Sequence, residues 1–271
     1  MITASVGLLV IGFTVGAIGT LIGAGGGFLL VPVLLLLNPH FPADTVAGIS
    51  LAVVFFNAAS GTLAYARMRR IDYKAGTIFA ISALPGAVLG AYATSHIPRR
   101  VFDGIFGLLL ITAAVYLVAT ADHKTEESHS GSYNLWLGVA ISAGVGFLSS
   151  LLGIGGGIIH VPALTHALNF PVHTATATSH FVLSITALVA TLIHLKNGAL
   201  TGQLRTIAWL SIGAVAGAQA GAKLSNRIGG PWILRSLAIG LGLAAIRILL
   251  AGVLNWPRIT RMARISIRKS V

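Results

Sequence analysis

Residues 23–32 read GAGGGFLLVP and residues 153–162 read GIGGGIIHVP. Glycine weakens a helix and proline removes a backbone donor, so two matching interruptions in apolar sequence imply a purpose. A helix that begins just after each cluster aims unpaired N–H groups and the positive end of its dipole at whatever lies ahead. Such an end holds an anion without lysine or arginine. Gly25, Gly26 and Gly27 in the first break, and Gly155, Gly156 and Gly157 in the second, are therefore candidate substrate-binding residues. A dinucleotide loop is a poor match, because G-x-G-x-x-G needs glycine where Phe28 and Ile158 stand.

Polar side chains in the apolar segments that follow the breaks extend this chemistry. Ser50 and Asn57 in the first half, and Ser179 and His180 in the second, are candidates to donate hydrogen bonds to an oxyanion. The competing role for serine and threonine is to bond back to their own helix carbonyls. All six acids lie in or near loops and segment ends, so the carboxylate proton relay of many symporters is missing. Histidine titrates near neutral pH and could serve instead. His160 directly follows the second break, and His160 and His180 stand where the first half has Leu30 and Leu51. Arg247, seven positions from the end of the last apolar segment, is a candidate intramembrane charge that could alternatively snorkel to the headgroups. There are no cysteines, so disulfides and thiolate metal sites are excluded, and neither a metal nor a cofactor is expected.

The elements that must position these residues are membrane helices. Of 271 residues, 55% are hydrophobic and 9% charged, against about 25% charged in a soluble domain. Apolar stretches of about 20 residues recur, the length a helix needs to cross hydrocarbon. They fall at 4–22, 27–38, 43–66, 76–96, 100–120, 134–152, 158–169, 172–195, 205–224 and 231–254. No segment alternates as a barrel strand would. The formal charge of +12 sits between apolar stretches and at the C-terminus, without interleaved aromatics. It reads as topology-setting loop charge rather than a nucleic-acid surface. The start of the chain lacks a basic region and a small-residue cleavage site, and reads as a retained first helix.

The halves correspond at a nearly constant offset. Val31-Pro32 aligns with Val161-Pro162, Phe41-Pro42 with Phe170-Pro171, Ser50 with Ser179, and Gly86-xxx-Gly90 with Gly217-xxx-Gly221. This predicts a duplication, with residues 1–120 as the first repeat, 121–133 as a polar linker, 134–254 as the second repeat and 255–271 as a basic tail. Transporters built this way bind substrate between the repeats near the midplane. Gly12-xxx-Gly16 and Gly213-xxx-Gly217 read as helix-packing motifs. The short second segment of each half cannot span alone. If the first two segments together cross once, Lys and Arg divide twelve to four in favour of a cytoplasmic side that holds both termini. That count would make the repeats parallel, whereas inverted repeats are common among transporters.

The paired GxGGGxxxVP breaks, each followed by a helix that opens TxxxxS (TVAGIS at 45–50, TATATS at 174–179), resemble the TauE/SafE-type sulfite exporter family over residues 4–254. The resemblance implies a prokaryotic cytoplasmic-membrane permease for sulfite, sulfonates or related organosulfur anions. The expected fold is an all-α polytopic membrane protein, two homologous repeats whose glycine-broken helices meet at a central cavity. The expected function is secondary transport of a small anion, with a passive anion channel, or an intramembrane enzyme, as alternatives. H-E-x-x-H, cysteine and intramembrane acid pairs are all missing, which counts against an enzyme. Expected partners are the anionic substrate and membrane lipids, with anionic lipid at the basic tail; a homodimer is a further candidate.

Overall fold

In a computed structural model, the described residues are 2–120 and 134–228 except Asn226, together with Ile239 and Gly242. They form helices α1 (Ile2–Ile22), α2 (Gly27–Leu37), α3 (Ala43–Arg67), α4 (Tyr73–Thr94), α5 (Arg99–Thr120), α6 (Leu135–Leu152), α7 (Gly157–Pro162), α8 (Val172–Lys196) and α9 (Leu204–Ser225), with a π-helical turn at Ala163–Ala167 after α7. Among the described residues there is no strand. Five helices are long and apolar enough to cross a membrane: α1 over Ser5–Ile22, then α3, α4, α6 and α8. The linker, the last apolar segment with Arg247, and the tail lie outside the described residues.

Helix boundaries follow local chemistry. Both α3 and α8 have proline at the N-cap, Pro42 and Pro171. Pro cannot continue a preceding helix, and it presets the backbone dihedral for entry into the next. Asp72 caps α4 by accepting from the Ala75 N–H at 3.0 Å, and Asn134 caps α6 by accepting from Leu137 at 3.1 Å. The breaks are turns only glycine takes readily: φ is +75° at Gly25, +81° at Gly26, +83° at Gly155 and +66° at Gly156.

Packing follows small residues, as it must where lipid tails offer helices no hydrophobic drive to associate. A Cβ at Gly213, Gly217 or Gly221 of α9 would run into the carbonyl oxygens of Leu9, Phe13 and Ala17 of α1. On the other side, Gly86 and Gly90 of α4 meet the carbonyls of Ala143 and Phe147 of α6. The Gly12 and Gly213 motifs thus pack helices, as their spacing predicts, and each does so against the other half of the chain.

These contacts also give direction. Residue numbers rise together along α1 and α9, and along α4 and α6, so each pair runs the same way. Ser60 of α3 reaches Val215 and Gln219 of α9, and Arg70 beyond α3 reaches Ser225 at the end of α9, so these two also run the same way. Along α3 and α8 the numbers oppose: Gly48 packs on His194 and Gly61 on His180. α1 and α3 therefore start at the same end of the bundle. Only residues 38–42 join α2 to α3, so α2 ends there too. The glycine turn at 23–26 joins α1 to α2, and α2 ends near the start of α3.

Candidate functional site

The two breaks touch back to back. A Cβ on Gly27 would meet the carbonyl oxygens of Gly153 and Ile154, and one on Gly157 would meet Gly23 and Ala24. The turns pack against α3 and α8 midway along both: Val54 lies beside Gly25 and Gly155, and Leu183 beside the same two glycines. The sequence places a cavity between the breaks. The structure has backbone against backbone there, because glycine removes the side chains that would hold the turns apart.

Each break is tied down by the long helix of the opposite half. Ser50 Oγ donates to the Gly153 carbonyl at 2.6 Å, and Ser179 Oγ donates to the Gly23 carbonyl at 3.2 Å. Both serines are buried. As placed, these two candidates cover carbonyl oxygens that would repel an anion and leave their own hydroxyl hydrogens occupied.

Asn57 and His180 belong to a buried network at the first break. Asn57 Nδ2 donates to the Gly25 carbonyl at 3.0 Å, and Asn57 Oδ1 accepts from Thr20 Oγ1 at 3.1 Å. His180 Nε2 lies 3.2 Å from Thr20 Oγ1. With that hydroxyl donating to Asn57, Nε2 is the nitrogen that carries the proton. Tyr65 completes the cluster, donating to the Thr20 carbonyl at 2.7 Å and meeting the His180 ring edge to face at 5.7 Å. Thr20 and Tyr65 are not signalled by the matched motifs. Their only hint in sequence is a polar atom within apolar segments.

The cavity lies beside the second break. It is lined by Gly155, Gly156, Gly157, His160 and Ser179, which the sequence singles out, and by Ser142, Ser149 and Thr186, with Ala83 and Val182 closing it. Its open volume is about 10 Å³, room for roughly one water molecule. No acid, lysine or arginine lines it. The Ser142 hydroxyl and His160 Nε2 lie 3.1 Å apart, with the Phe79 ring edge to face against the imidazole at 5.9 Å. Gly26, Ser50, Asn57 and His180 are not among its walls.

Backbone donors remain open at this cavity. The Gly157 N–H bonds the Gly155 carbonyl and the Ile154 N–H bonds Ser149, but the N–H groups of Gly155 and Gly156 bond no described residue. At the first break, the Ala24 and Gly25 N–H groups both bond the Gly19 carbonyl, at 2.9 and 3.1 Å; the Gly26 and Gly27 N–H groups also bond no described residue, but neither glycine lines the cavity. Among the described residues no group of three or more His, Asp or Glu could hold a metal ion.

The chain matches the family model described as Sulfite exporter TauE/SafE over residues 8–248. It is 33% identical over 244 residues to a probable membrane transporter protein of Bacillus subtilis, an alignment covering 82% of this chain and 87% of that one. It is 32% identical over 210 residues to a probable membrane transporter protein of Methanocaldococcus jannaschii, covering 76% and 77% respectively. No solved structure matches. With glycine breaks, apolar spans and relatives in agreement, the chain belongs to the TauE/SafE sulfite exporter family of membrane transporters.

Proposed function

We propose that this protein is a secondary transporter of a small anion, sulfite, a sulfonate or a related organosulfur anion, in the cytoplasmic membrane of a prokaryote. The observation that carries this reading is the second break. Two open backbone N–H groups, hydroxyls and an imidazole line one buried cavity that contains no carboxylate. Neutral donors fixed in place stabilise negative charge without the cost of burying a paired cation. Closure of the breaks by backbone contact favours a transporter that changes shape over a standing pore. The test is thermal unfolding of purified protein with sulfite, sulfate, thiosulfate, sulfonates and carboxylates. At least one sulfur oxyanion should raise the midpoint in a saturable way, because a ligand that binds only the folded state stabilises it. No response to any of them would refute the reading.

The same proposal treats the halves as inverted repeats. α3 and α8 both have 25 residues, α4 and α9 both have 22, and α3 and α8 run antiparallel. The first helix of each half packs on the fourth helix of the other, α1 on α9 and α6 on α4. On this reading a two-fold axis would pass between Val54 and Leu183, which both lie beside Gly25 and Gly155, the arrangement around which many transporters rock between states. If α1–α2 returns to its own side and the 22-residue α5 crosses along with α3 and α4, the first half makes three crossings, which predicts opposite sides for Ser5 and Ser128. Single cysteines at Ser5 and Ser128 should therefore label oppositely with an impermeant thiol reagent in intact cells, one reacting and one protected. Identical behaviour of the two would restore the even count and parallel repeats.

A further inference from the structure

The two breaks share a sequence motif but not a chemistry. Ser142, Ser149 and His160 around the second break correspond to Gly12, Gly19 and Leu30 around the first. In the first half those places are filled: Gly12 lies against the Leu210 backbone, Gly19 against Gly26, and Leu30 is fully buried. In the second half they hold polar groups that face the cavity.

Ser149 is the telling member. The residue is 3% exposed, and its hydroxyl makes no hydrogen bond to a described residue, while its carbonyl accepts from the Gly153 and Ile154 N–H groups. The hydroxyl lies 3.2 Å from where a Cβ on Gly156 would stand, so it sits beside that glycine on the wall of the same cavity. Ser142 and His160 add a further donor whichever way their proton lies. If the serine donates to Nε2, the imidazole keeps an N–H at Nδ1; if Nε2 donates, the serine hydrogen is free. Thr186 is different, being bonded back to the Val182 and Leu183 carbonyls at 3.2 and 3.3 Å.

Resting on the anion-transport reading, we infer that each chain binds one anion, at the second break, in a state that opens the cavity beyond its present water-sized volume, and that the site selects singly charged oxyanions over doubly charged ones. Selection by charge follows from what the walls lack. Every donor at the cavity is neutral, and no lysine or arginine lines it. The cost of taking an ion out of water rises with the square of its charge, so a dianion loses about four times as much hydration as a monoanion of equal size. Dipoles that return only linearly with charge cannot make up that difference. Ser149, the Gly155 and Gly156 N–H groups and the Ser142–His160 pair are the binding groups.

Methanesulfonate and sulfate present similar oxygens with charges of one and two at neutral pH, so they separate charge from shape. Calorimetric titration of the full-length protein in detergent should give one methanesulfonate per chain and bind sulfate at least about tenfold more weakly, which is about 1.4 kcal/mol. Ser149→Ala and Ser142→Ala should each weaken methanesulfonate about fivefold or more. Thr112→Ala, which removes only a local bond to the Leu108 carbonyl, should leave it unchanged. Two anions per chain, sulfate bound as tightly as methanesulfonate, or a folded Ser149→Ala protein with unaltered binding would each overturn the inference while leaving anion transport standing. Failure of every anion to bind the wild-type protein would remove both.

Discussion

Replacing Gly157 or Gly27 with alanine is expected to leave no folded protein, or protein destabilised by at least about 3 kcal/mol, the upper range of overpacking costs. At Gly157 the new methyl would be driven into the Gly23 carbonyl and the Ala24 Cα. At Gly27 it would meet the carbonyls of Gly153 and Ile154. All of these are backbone atoms of the opposite break, which no rotamer change can move. Separating the turns would also pull Gly23 and Gly153 away from Ser179 and Ser50, leaving buried carbonyls and hydroxyls without partners. Gly144→Ala is the control, since a Cβ there meets nothing within 4 Å. It should be neutral or stabilising by up to about 1 kcal/mol, the ordinary gain of Ala over Gly in a helix. Detergent-purified variants compared by size-exclusion profile and thermal unfolding give the readout. A monodisperse Gly157→Ala protein melting with the wild type would show that the breaks do not bear on each other.

Gly156→Ala should behave in the opposite way, keeping its fold and losing its ligand. Its left-handed backbone will cost an alanine about 1–2 kcal/mol. The nearest atoms to the new Cβ are side chains, Val145 Cγ1 at 3.1 Å and Ser149 Oγ at 3.2 Å, and these can give. The methyl would crowd the Ser149 hydroxyl at the cavity wall. Affinity for methanesulfonate should fall at least tenfold, about 1.4 kcal/mol, in protein that remains monodisperse. Gly26→Ala provides the contrast: its Cβ would lie 2.6 Å from the Val15 carbonyl, so it should lose stability rather than act selectively on binding. Unchanged affinity in folded Gly156→Ala protein would exclude this glycine from the site.

The matched motif alone gives Gly26 and Gly156 one role, and their divergence shows where sequence stops being informative. Helices were legible because lipid demands long apolar runs, and the breaks were legible because three glycines in succession cannot continue a helix. Gly12-xxx-Gly16 and Gly213-xxx-Gly217 announced close packing for the same reason. Which helix each would meet was not legible, since small-residue spacing carries no partner and no direction. Ser142 and Ser149 were missed because matching the halves draws the eye to identities, and these serines stand opposite glycines. Ser50 and Ser179 were conspicuous by their symmetry, and that symmetry reflects the equivalent duty of bracing the other half's turn.

The exchange of helices between halves has a consequence for how the protein is made. Ser5 near the start of α1 reaches Arg205 at the start of α9, and the two are separated by 200 residues of chain. At translation rates of about 5–20 residues per second, α1 waits roughly 10–40 s in the bilayer before its partner emerges. During that interval the stripe containing Gly12 and Gly16 faces lipid or whatever else will cover it. α4 waits far less, because α6 follows after one helix and the linker. Assembly of the first break is therefore tied to the end of synthesis, and a chain halted after α5 would hold a turn with nothing behind it. Quality control in the membrane could recognise such a chain by its uncovered glycine stripe alone.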